Sequence, residues 1–411
     1  MKMKIYCFVL VFIFSLTFGN IFPNENWESG FIDLGDGNDM FYIYFKARNS
    51  IKGDQTPLVL WLQGGPGCSS LIGLFWEHGP YLILRNGTYI NNPYSWNNNM
   101  DIIYVDSPIG TGFSRLSDKK FQCSEENCVS RDLYTFLIKI YNLHPEFTKR
   151  PFYIFGESYG GHYVPSLSAY LIRANNHIFN FKGSGIGNGL TDAYHQFGIY
   201  PKFLYENGKI SFFEYVTNEI YSVACVSDLK IKPFNVSMYC SNYRDYLQKK
   251  AHIINMYNIE INYTYDEQSK HVEKFINNPN TLKELGIFNR TWSECNHTID
   301  ASFKDDIFRS YKEDVEYILQ KGLELIIYVG EFDYRDNWEA NRNYLKFVEW
   351  DGKKEFNKQK YQPWIINEKE SGLFMSCKNL MFLRIHEAGH MSPMDKPKEL
   401  FYMINNFTHA V

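Results

Sequence analysis

The stretch FGESYGG, Phe155 to Gly161, places a serine between two glycines, each two residues away, directly after the apolar run PFYIF. Gly-x-Ser-x-Gly after a strand is typical of a nucleophile elbow, a sharp strand-to-helix turn that lifts a serine hydroxyl above a sheet. Such a serine attacks a carbonyl carbon once a neighbouring base removes its proton. An ordinary Gly/Ser turn has the same short pattern, so the rest of the chain must supply the base and the acid.

Candidates for the acid and the base follow two later apolar runs. The run LELIIYV is followed by GEFDYRDNW, and the run NLMFLRI is followed by HEAGHMSP. The possible acids are Glu331, Asp333 and Asp336, and the possible bases are His386 and His390. In α/β-hydrolases the chain order is serine, acid, histidine, each on a loop after a strand. The order here fits that chemistry, although spacing alone does not choose among the acids or the histidines.

The elements that must position these loops alternate along the chain. Short, nearly continuous apolar runs predict strands at 57–63, 101–106, 151–156, 181–189, 323–330 and 379–385, and helical periodicity occupies 129–143, 159–175 and 396–407. Continuous apolar strands are typical of a sheet covered on both faces, and their alternation with helices predicts a mostly parallel sheet. An antiparallel start is expected around the turn GDGND. The predicted class is α/β.

The alternation stops between residues 191 and 306. That stretch contains helical segments, Cys225 and Cys240, and four Asn-x-Ser/Thr sequons. Long insertions between the halves of a sheet domain are often lids over a binding site. We therefore predict a sheet domain in two parts, 20–190 and 307–411, with a helical lid at 191–306.

The N-terminus and the composition indicate the cellular compartment and limit the classes of binding partner. Lys2 and Lys4 precede the apolar run from Ile5 to Phe18, which predicts a secretory signal peptide over residues 1–19. No later segment is long and apolar enough to cross a bilayer, so we expect no membrane attachment after signal cleavage. A net charge of −4 without a dense basic run argues against a nucleic-acid partner.

The cysteines and sequons fit an oxidising route. Cleavage removes Cys7 from a total of eight cysteines, so an odd number remains and one is expected to be unpaired. Six sequons are candidate glycosylation sites: Asn86, Asn235, Asn262, Asn289, Asn296 and Asn406.

Eight motifs resemble those of the serine carboxypeptidases, an α/β-hydrolase family of acid-acting secreted and vacuolar exopeptidases. They are WLQGGPGCSS (61–70), EHGPY (77–81), NPYSWN (92–97), YVDSPIGTGFS (104–114), GESYGGHYVP (156–165), GIGNGLTD (185–192), DNW (336–338) and AGHMSP (388–393). The resemblance runs from about residue 31 to the C-terminus and is weak in the insertion. It implies the α/β-hydrolase fold with an inserted helical lid.

The resemblance also implies a catalytic triad. It makes Ser158 the nucleophile, Asp333 the acid and His390 the base, with no cofactor and no metal ion. His390 would take the Ser158 proton while Asp333 holds the imidazole in the required tautomer. The N–H groups of Tyr159 and Gly65 would stabilise the oxyanion. His162, although nearer to the serine in sequence, is expected to be structural.

Recognition of a substrate carboxylate follows from the same resemblance. The matching positions are Gln63, Gly64, Glu77 and Glu157. Gln63 departs from the asparagine of the family and adds a methylene, so we expect the clamp to be displaced by roughly one bond length. The positions that would border the pocket for the residue before the scissile bond are Leu190, Arg335, Asp336 and Met391.

The disulfide expectations have two origins. The resemblance pairs Cys68 with Cys295, which ties the insertion to the GGPGC loop. Two further pairs are our inference, Cys225–Cys240 within the insertion and Cys123–Cys128 as a small loop. Cys377 is then left as a free, buried thiol that behaves as a small hydrophobe.

The sequence therefore predicts a serine carboxypeptidase that removes C-terminal residues from peptides or proteins at acid pH. We expect a lysosomal, vacuolar or extracellular location, and a homodimer is an open alternative to a monomer. The first rival is an acyltransferase on the same fold, in which a small alcohol replaces water, and Gln63 keeps it open. The second is a non-catalytic glycoprotein that binds or protects a partner, and the intact triad weighs against it.

Overall fold

The computed structural model describes residues 21–51, 55–231 and 238–409, so the predicted signal peptide and Asn235 lie outside the described residues. Its strands are β1 (Trp27–Gly35), β2 (Asn38–Phe45), β3 (Leu58–Leu62), β4 (Tyr81–Ile83), β5 (Tyr89–Asn91), β6 (Asp101–Val105), β7 (Phe152–Glu157), β8 (Phe181–Gly187), β9 (Glu324–Gly330), β10 (Gln362–Ile366), β11 (Lys369–Cys377) and β12 (Leu380–Ile385).

The α-helices of the described residues follow the same chain order. They are α1 (Glu126–Leu143), α2 (Gly160–Ala174), α3 (Ala193–Gln196), α4 (Tyr200–Glu206), α5 (Phe212–Ile231), α6 (Met238–Lys250), α7 (Asp266–Ile276), α8 (Pro279–Glu284), α9 (His297–Ser302), α10 (Lys312–Gln320), α11 (Trp338–Leu345), α12 (Lys353–Phe356), α13 (Ser392–Asp395) and α14 (Pro397–Phe407). Within the described part of the chain, no helix combines the length and the apolar character that a bilayer span requires.

Ten strands form one sheet in the order β1-β2-β6-β3-β7-β8-β9-β12-β11-β10, and β4 and β5 form a separate hairpin. The six central strands from β6 to β12 are parallel to their neighbours. The outer strands at both edges are antiparallel. Because parallel strands end at the same edge of a sheet, the loops after β3, β7, β8, β9 and β12 meet at one edge.

Alternate residues of the central strands fill two separate cores. In β3, Leu58 and Leu60 pack into the core that contains side chains of α1 and α2. Val59 and Trp61 of the same strand pack into the core on the other face, with side chains of α14. Both faces are covered, which explains why the strands are apolar throughout instead of alternating with polar residues.

The predicted α/β-hydrolase architecture is confirmed. The six apolar runs correspond to β3, β6, β7, β8, β9 and β12, and the expected antiparallel start is the β1–β2 pair. The sequence did not predict the β10–β11 hairpin at the far edge. The side chains of β10 are mostly exposed, and the strand contains Pro363, which argues against a central strand when only the sequence is read.

The chain between β8 and α10 is helical and contains α3 to α9. Part of it has its own apolar cluster, in which Phe203, Leu204 and Leu247 pack around Cys225 and Cys240. Tyr334, from the loop after β9, belongs to the same cluster. This cluster therefore joins the helical insertion to a loop that carries candidate catalytic residues. The domain boundaries at residues 191 and 306 stay predictions.

Three disulfides connect the cysteine pairs that were expected in the sequence analysis. Cys68–Cys295 spans 227 residues, Cys225–Cys240 spans 15 and Cys123–Cys128 spans 5. Cys377 is free and buried. The long-range disulfide fixes the end of the insertion to the loop after β3.

The sequons differ in their surroundings. Four asparagines, Asn86, Asn262, Asn289 and Asn406, are exposed. Asn296 is half-buried, with its Nδ2 donating to the carbonyl of Gly110 at 2.8 Å and its Oδ1 accepting from the backbone N–H of Thr298. Its amide therefore caps α9 and faces the protein rather than solvent.

We predict that the long-range disulfide stabilises the fold much more than the short one. Replacing Cys68 and Cys295 together by alanine should lower the free energy of unfolding by about 5 kcal/mol, because it releases a very long loop in the unfolded chain. The matched control, Cys123 and Cys128 to alanine, should cost about 2 kcal/mol. Urea unfolding of both variants measures the difference. Equal losses would contradict the assignment of the first disulfide as the main covalent constraint.

Candidate active site

Ser158 lies at a strained turn between β7 and α2. Its φ is +62°, in the left-handed region that costs a non-glycine residue on the order of 1–3 kcal/mol. The Ser158 N–H donates to the carbonyl of Gly187 at 3.0 Å, and its carbonyl accepts from Gly161 and from Leu190. These backbone hydrogen bonds hold the turn, so the serine stands at the carboxyl edge of the sheet, as an elbow requires.

Glycines allow the loop after β3 to pack directly on this elbow. A Cβ at Gly64 would lie 2.4 Å from the backbone nitrogen of Tyr159 and 2.6 Å from the carbonyl oxygen of Glu157. Such distances are far below van der Waals contact, so only glycine fits. The close approach brings the backbone of Gly64 and Gly65 beside the N–H of Tyr159. That N–H precedes the first turn of α2, where backbone donors have no partner within the helix.

The loops after β9 and β12 carry the candidate acids and histidines, and one acid and one histidine among them are hydrogen-bonded to each other. His390 Nδ1 donates to Asp333 Oδ2 at 2.8 Å. His386 lies elsewhere, between Glu331 at 3.1 Å and Glu370 at 3.1 Å. Glu331 also pairs with Arg384 and therefore faces away from His390. The structure thus brings together Asp333 and His390, the two residues that the resemblance preferred.

Asn188 is a residue of this site that the sequence reasoning did not assign. It follows β8 with a φ of +44°, and its Nδ2 donates to Asp333 Oδ2 at 2.8 Å. Its Oδ1 accepts from the hydroxyl of Ser392 at 2.9 Å. Asn188 therefore orients the carboxylate of Asp333 and ties the β12 loop to it. The signal in the sequence was an asparagine directly after an apolar strand, a residue type that tolerates this backbone conformation.

The charge of Asp333 changes the acidity of His390. Burial alone would lower the pKa of His390, but the carboxylates of Asp333 and Asp336 outweigh it and raise the pKa. Asp336 Oδ2 lies 3.9 Å from His390 Nδ1, and burial raises the pKa of Asp336 to about 6. Because Nδ1 is held by an acceptor, Nε2 is the nitrogen left to exchange a proton.

Glu77 and Glu157 form a buried pair of carboxyl groups beside the elbow, with 0% and 1% of each residue exposed. Within the described residues, no donor binds either oxygen of Glu77 or Oε2 of Glu157. Burial raises the pKa of Glu77 to about 7, and burial together with the charge of Glu77 raises the pKa of Glu157. A proton shared between them supplies the missing donor, so the pair is protonated at mildly acidic pH.

The amide of Gln63 is oriented by two side chains. Trp61 Nε1 donates to Gln63 Oε1 at 3.0 Å, and Gln63 Nε2 donates to Glu157 Oε1 at 3.1 Å. The first bond fixes which end of the amide is the donor. Nε2 therefore faces the carboxyl pair and supports Glu157. The additional methylene places this amide against Glu157 without loss of its hydrogen bonds.

A cavity of about 340 Å³ opens above these groups. Its wall includes Ser158 and His390, the expected carboxylate-binding residues Gln63, Gly64 and Glu157, and Gly65 of the expected oxyanion pair. Glu77 is not part of the wall and lies behind Glu157. The aromatic side chains of Trp76, Tyr257 and Tyr265 also line the cavity, as do the acidic residues Asp266 and Glu294. Its size and mixed lining suit a small polar ligand such as the end of a peptide.

The four positions predicted to border the specificity pocket differ in their relation to the cavity. Arg335 and Met391 line it, whereas Leu190 and Asp336 are not among the described residues of its wall. Leu190 packs into the apolar cluster of the insertion, and its carbonyl accepts from the Nδ1–H of His162 at 2.6 Å. Asp336 is turned towards His390. The roles of all four positions in specificity stay predictions. His162 is buried, and its structural role also stays a prediction.

Known proteins are similar to this chain over most of its length. The sequence profile described as serine carboxypeptidase matches residues 19–410. Serine carboxypeptidase-like 48 of Arabidopsis thaliana is 36% identical over 386 residues, which cover 90% of this chain and 74% of the relative. Serine carboxypeptidase S10 family member 1 of Dictyostelium discoideum is 32% identical over 418 residues, covering 98% and 99%.

Among solved structures, a prohormone-processing carboxypeptidase from Saccharomyces cerevisiae, Kex1(Δ)p, superimposes with a TM-score of 0.84 at 24% identity. The match covers 94% of this chain and 91% of that chain, and it shows a shared fold. The profile match over nearly the whole sequence and the relative at 36% identity lead to one conclusion about the family. This chain belongs to the serine carboxypeptidase family, a family of hydrolases with the α/β-hydrolase fold.

Proposed function

We propose that this protein hydrolyses the last peptide bond of peptides and protein C-termini at acid pH, through an acyl-enzyme on Ser158. The observation that carries the proposal is the 2.8 Å hydrogen bond from His390 Nδ1 to Asp333 in the cavity that Ser158 lines. A buried carboxylate on Nδ1 holds the tautomer in which Nε2 is a base, as acyl transfer from serine requires.

The proposed reaction has two halves. In the first, His390 Nε2 takes the proton of Ser158 as its Oγ attacks the scissile carbonyl carbon, while the N–H groups of Tyr159 and Gly65 stabilise the oxyanion. The C–N bond then breaks, His390 returns the proton to the leaving amine, and the C-terminal amino acid departs. In the second half, water attacks the ester, His390 takes its proton, and Ser158 is regenerated as the shortened peptide leaves.

The carboxyl pair explains why such an enzyme would act at chain ends. A protonated Glu157 donates to the terminal carboxylate of the substrate, and Gln63 Nε2 supplies a second donor. An internal peptide bond offers no carboxylate to accept these hydrogen bonds. A negative terminus beside an ionised pair would instead be repelled, because like charges in a buried site oppose one another strongly.

The same groups set the pH range. Glu77 loses its proton as the pH rises through about 7, and the pKa of Glu157 is also raised, by burial and by the charge of Glu77, so the pair ionises and substrate binding weakens on the alkaline side. Asp333 and Asp336 raise the pKa of His390, so this base becomes protonated and turnover falls on the acid side. The raised pKa of His390 moves the acid limit to higher pH and narrows the range between the two limits, so it is the carboxyl pair, and not His390, that favours acid pH.

The remaining expectations concern the cellular location, the glycosylation and the oligomeric state of the protein. Three disulfides, the N-terminal apolar run and the exposed Asn86, Asn262, Asn289 and Asn406 support a glycoprotein of the secretory pathway, delivered to a lysosome or vacuole or released from the cell. Asn296 is the weaker candidate, since its amide caps α9. Homodimer formation stays a prediction.

Replacement of Ser158 by alanine should abolish labelling by a fluorophosphonate and lower kcat on the order of 10⁴-fold or more. His390→Ala should also abolish turnover, because His390 is the proposed base and lines the same cavity as Ser158. His386→Ala is the matched control and should retain activity, since His386 pairs with Glu331 and Glu370. Mass spectrometry of the labelled peptide and steady-state rates measure both effects. Fluorophosphonate label on another serine would overturn the assignment. So would a loss of activity in His386→Ala while His390→Ala stays active.

A peptide amidated at its C-terminus should be cut far more slowly than its free acid, because an amide offers no negative oxygens to the Glu157 and Gln63 donors. Rates of residue release from the matched pair, followed by mass spectrometry, test this. Added small alcohols should divert only a minor part of the acyl-enzyme. Equal rates for acid and amide would refute carboxylate recognition, and transfer to an alcohol in preference to water would support the acyltransferase instead.

A further inference from the structure

The active-site cavity contains a cation whose partners are unusual. Arg335 lines the cavity, and its Nη1 lies 3.3 Å from the sulfur of Met256. Its guanidinium carbon lies 5.9 Å from the centre of the Tyr257 ring. Within the described part of the chain, no carboxylate lies within ion-pair distance of it. A thioether and an aromatic face are weak partners for a group with five strong donors.

The carboxylates of Asp333 and Asp336, which lie close to Arg335 in the chain, are placed beside His390. Asp333 Oδ2 accepts from His390 Nδ1 at 2.8 Å and from Asn188 Nδ2 at 2.8 Å, and its Oδ1 accepts from the N–H of Asp336 at 3.2 Å. Asp336 Oδ2 lies 3.9 Å from the same imidazole nitrogen. Arg335 is half-buried, and a cation kept from water without a carboxylate partner is costly. A ligand carboxylate in the cavity would remove that cost.

The order of the strands places Arg335 on one side of the nucleophile. Gln63 follows β3 and Arg335 follows β9, with β7 and β8 between them in the sheet. Ser158 follows β7, so the carboxylate clamp and Arg335 lie on opposite sides of the elbow. A peptide with its terminus at Gln63 and Glu157 and its scissile carbonyl at Ser158 continues towards Arg335. The ring of Tyr257, 5.1 Å from that of His390, keeps the guanidinium close to the reacting bond.

We infer that Arg335 selects peptides with an acidic side chain, glutamate or aspartate, in the residue just before the scissile bond. This inference rests on the proposed carboxypeptidase function and names its substrate class. The planar guanidinium fork matches a carboxylate with two parallel hydrogen bonds. A hydrogen bond to a charged partner in such a site discriminates about 10- to 100-fold against its neutral isostere. A penultimate lysine would meet like charge and be disfavoured.

The test uses three free-acid peptides that end in leucine and carry glutamate, glutamine or lysine before it. At about pH 6, where a glutamate side chain is ionised, kcat/KM should be at least about 10-fold higher for glutamate than for glutamine, and lowest for lysine. Arg335→Met should bring the glutamate rate down to the glutamine rate while the glutamine peptide is little affected. Arg335→Lys should keep part of the preference, and Arg335→Glu should reverse it towards lysine.

Fluorophosphonate labelling of Ser158 counts the folded, competent sites in each variant, so a folding defect does not enter the comparison. Arg131→Met, an exposed arginine on α1, is the matched control and should leave all three rates unchanged. Equal rates for glutamate and glutamine in the unmodified protein would overturn the inference while the proposed function stands. A uniform loss in Arg335→Met for all three peptides would also overturn it. Failure to release leucine from any peptide would overturn both.

Discussion

Two carboxyl groups buried against each other, those of Glu77 and Glu157, are the constraint on which the proposed chemistry depends. Glu77 is completely buried, and its oxygens have no donor among the described side chains. Such a pair is tolerated only if a proton is shared, and that proton turns a repulsive site into a donor for a substrate carboxylate. The Trp61–Gln63 hydrogen bond supports this arrangement by fixing the amide donor on Glu157.

The central sheet brings the remaining groups to the same place. Five loops after parallel strands meet at one edge, and each contributes a different component: Gln63 from β3, Ser158 from β7, Asn188 from β8, Asp333 from β9 and His390 from β12. Close contacts between loops keep them in register. A Cβ at Gly330 would lie 2.0 Å from the carbonyl oxygen of Gly389, so the acid loop and the base loop are in direct backbone contact. Positions of reacting groups therefore follow from the fold rather than from flexible side chains.

Much of this could be predicted from the sequence, for physical reasons that particular residues illustrate. The strands covered on both faces were visible as continuous apolar runs, and the order of Ser158, Asp333 and His390 followed from the loops after them. The choice of Asp333 over Glu331 needed the family resemblance, and the structure gives its reason in the pairing of Glu331 with Arg384 and His386. Asn188 and the positions of Leu190 and Asp336 depend on how loops fold against one another, which no local pattern encodes. The edge strand β10 contains Pro363, and its neighbour β11 begins with polar residues, so neither shows the continuous apolar run of the central strands.

The central claim is that the carboxyl pair takes part in substrate binding through its proton. Calorimetry of a free-acid peptide binding to Ser158→Ala, repeated in buffers of different ionisation enthalpy, counts the protons taken up. At about pH 8, above the pKa of about 7 for Glu77, Glu77 is ionised, so binding a carboxylate beside the pair should take up about one proton there and close to none at about pH 5. The same measurement with Glu157→Gln, which carries a permanent donor, should show no uptake at either pH. Binding without proton uptake at about pH 8 in the Ser158→Ala protein would contradict the account.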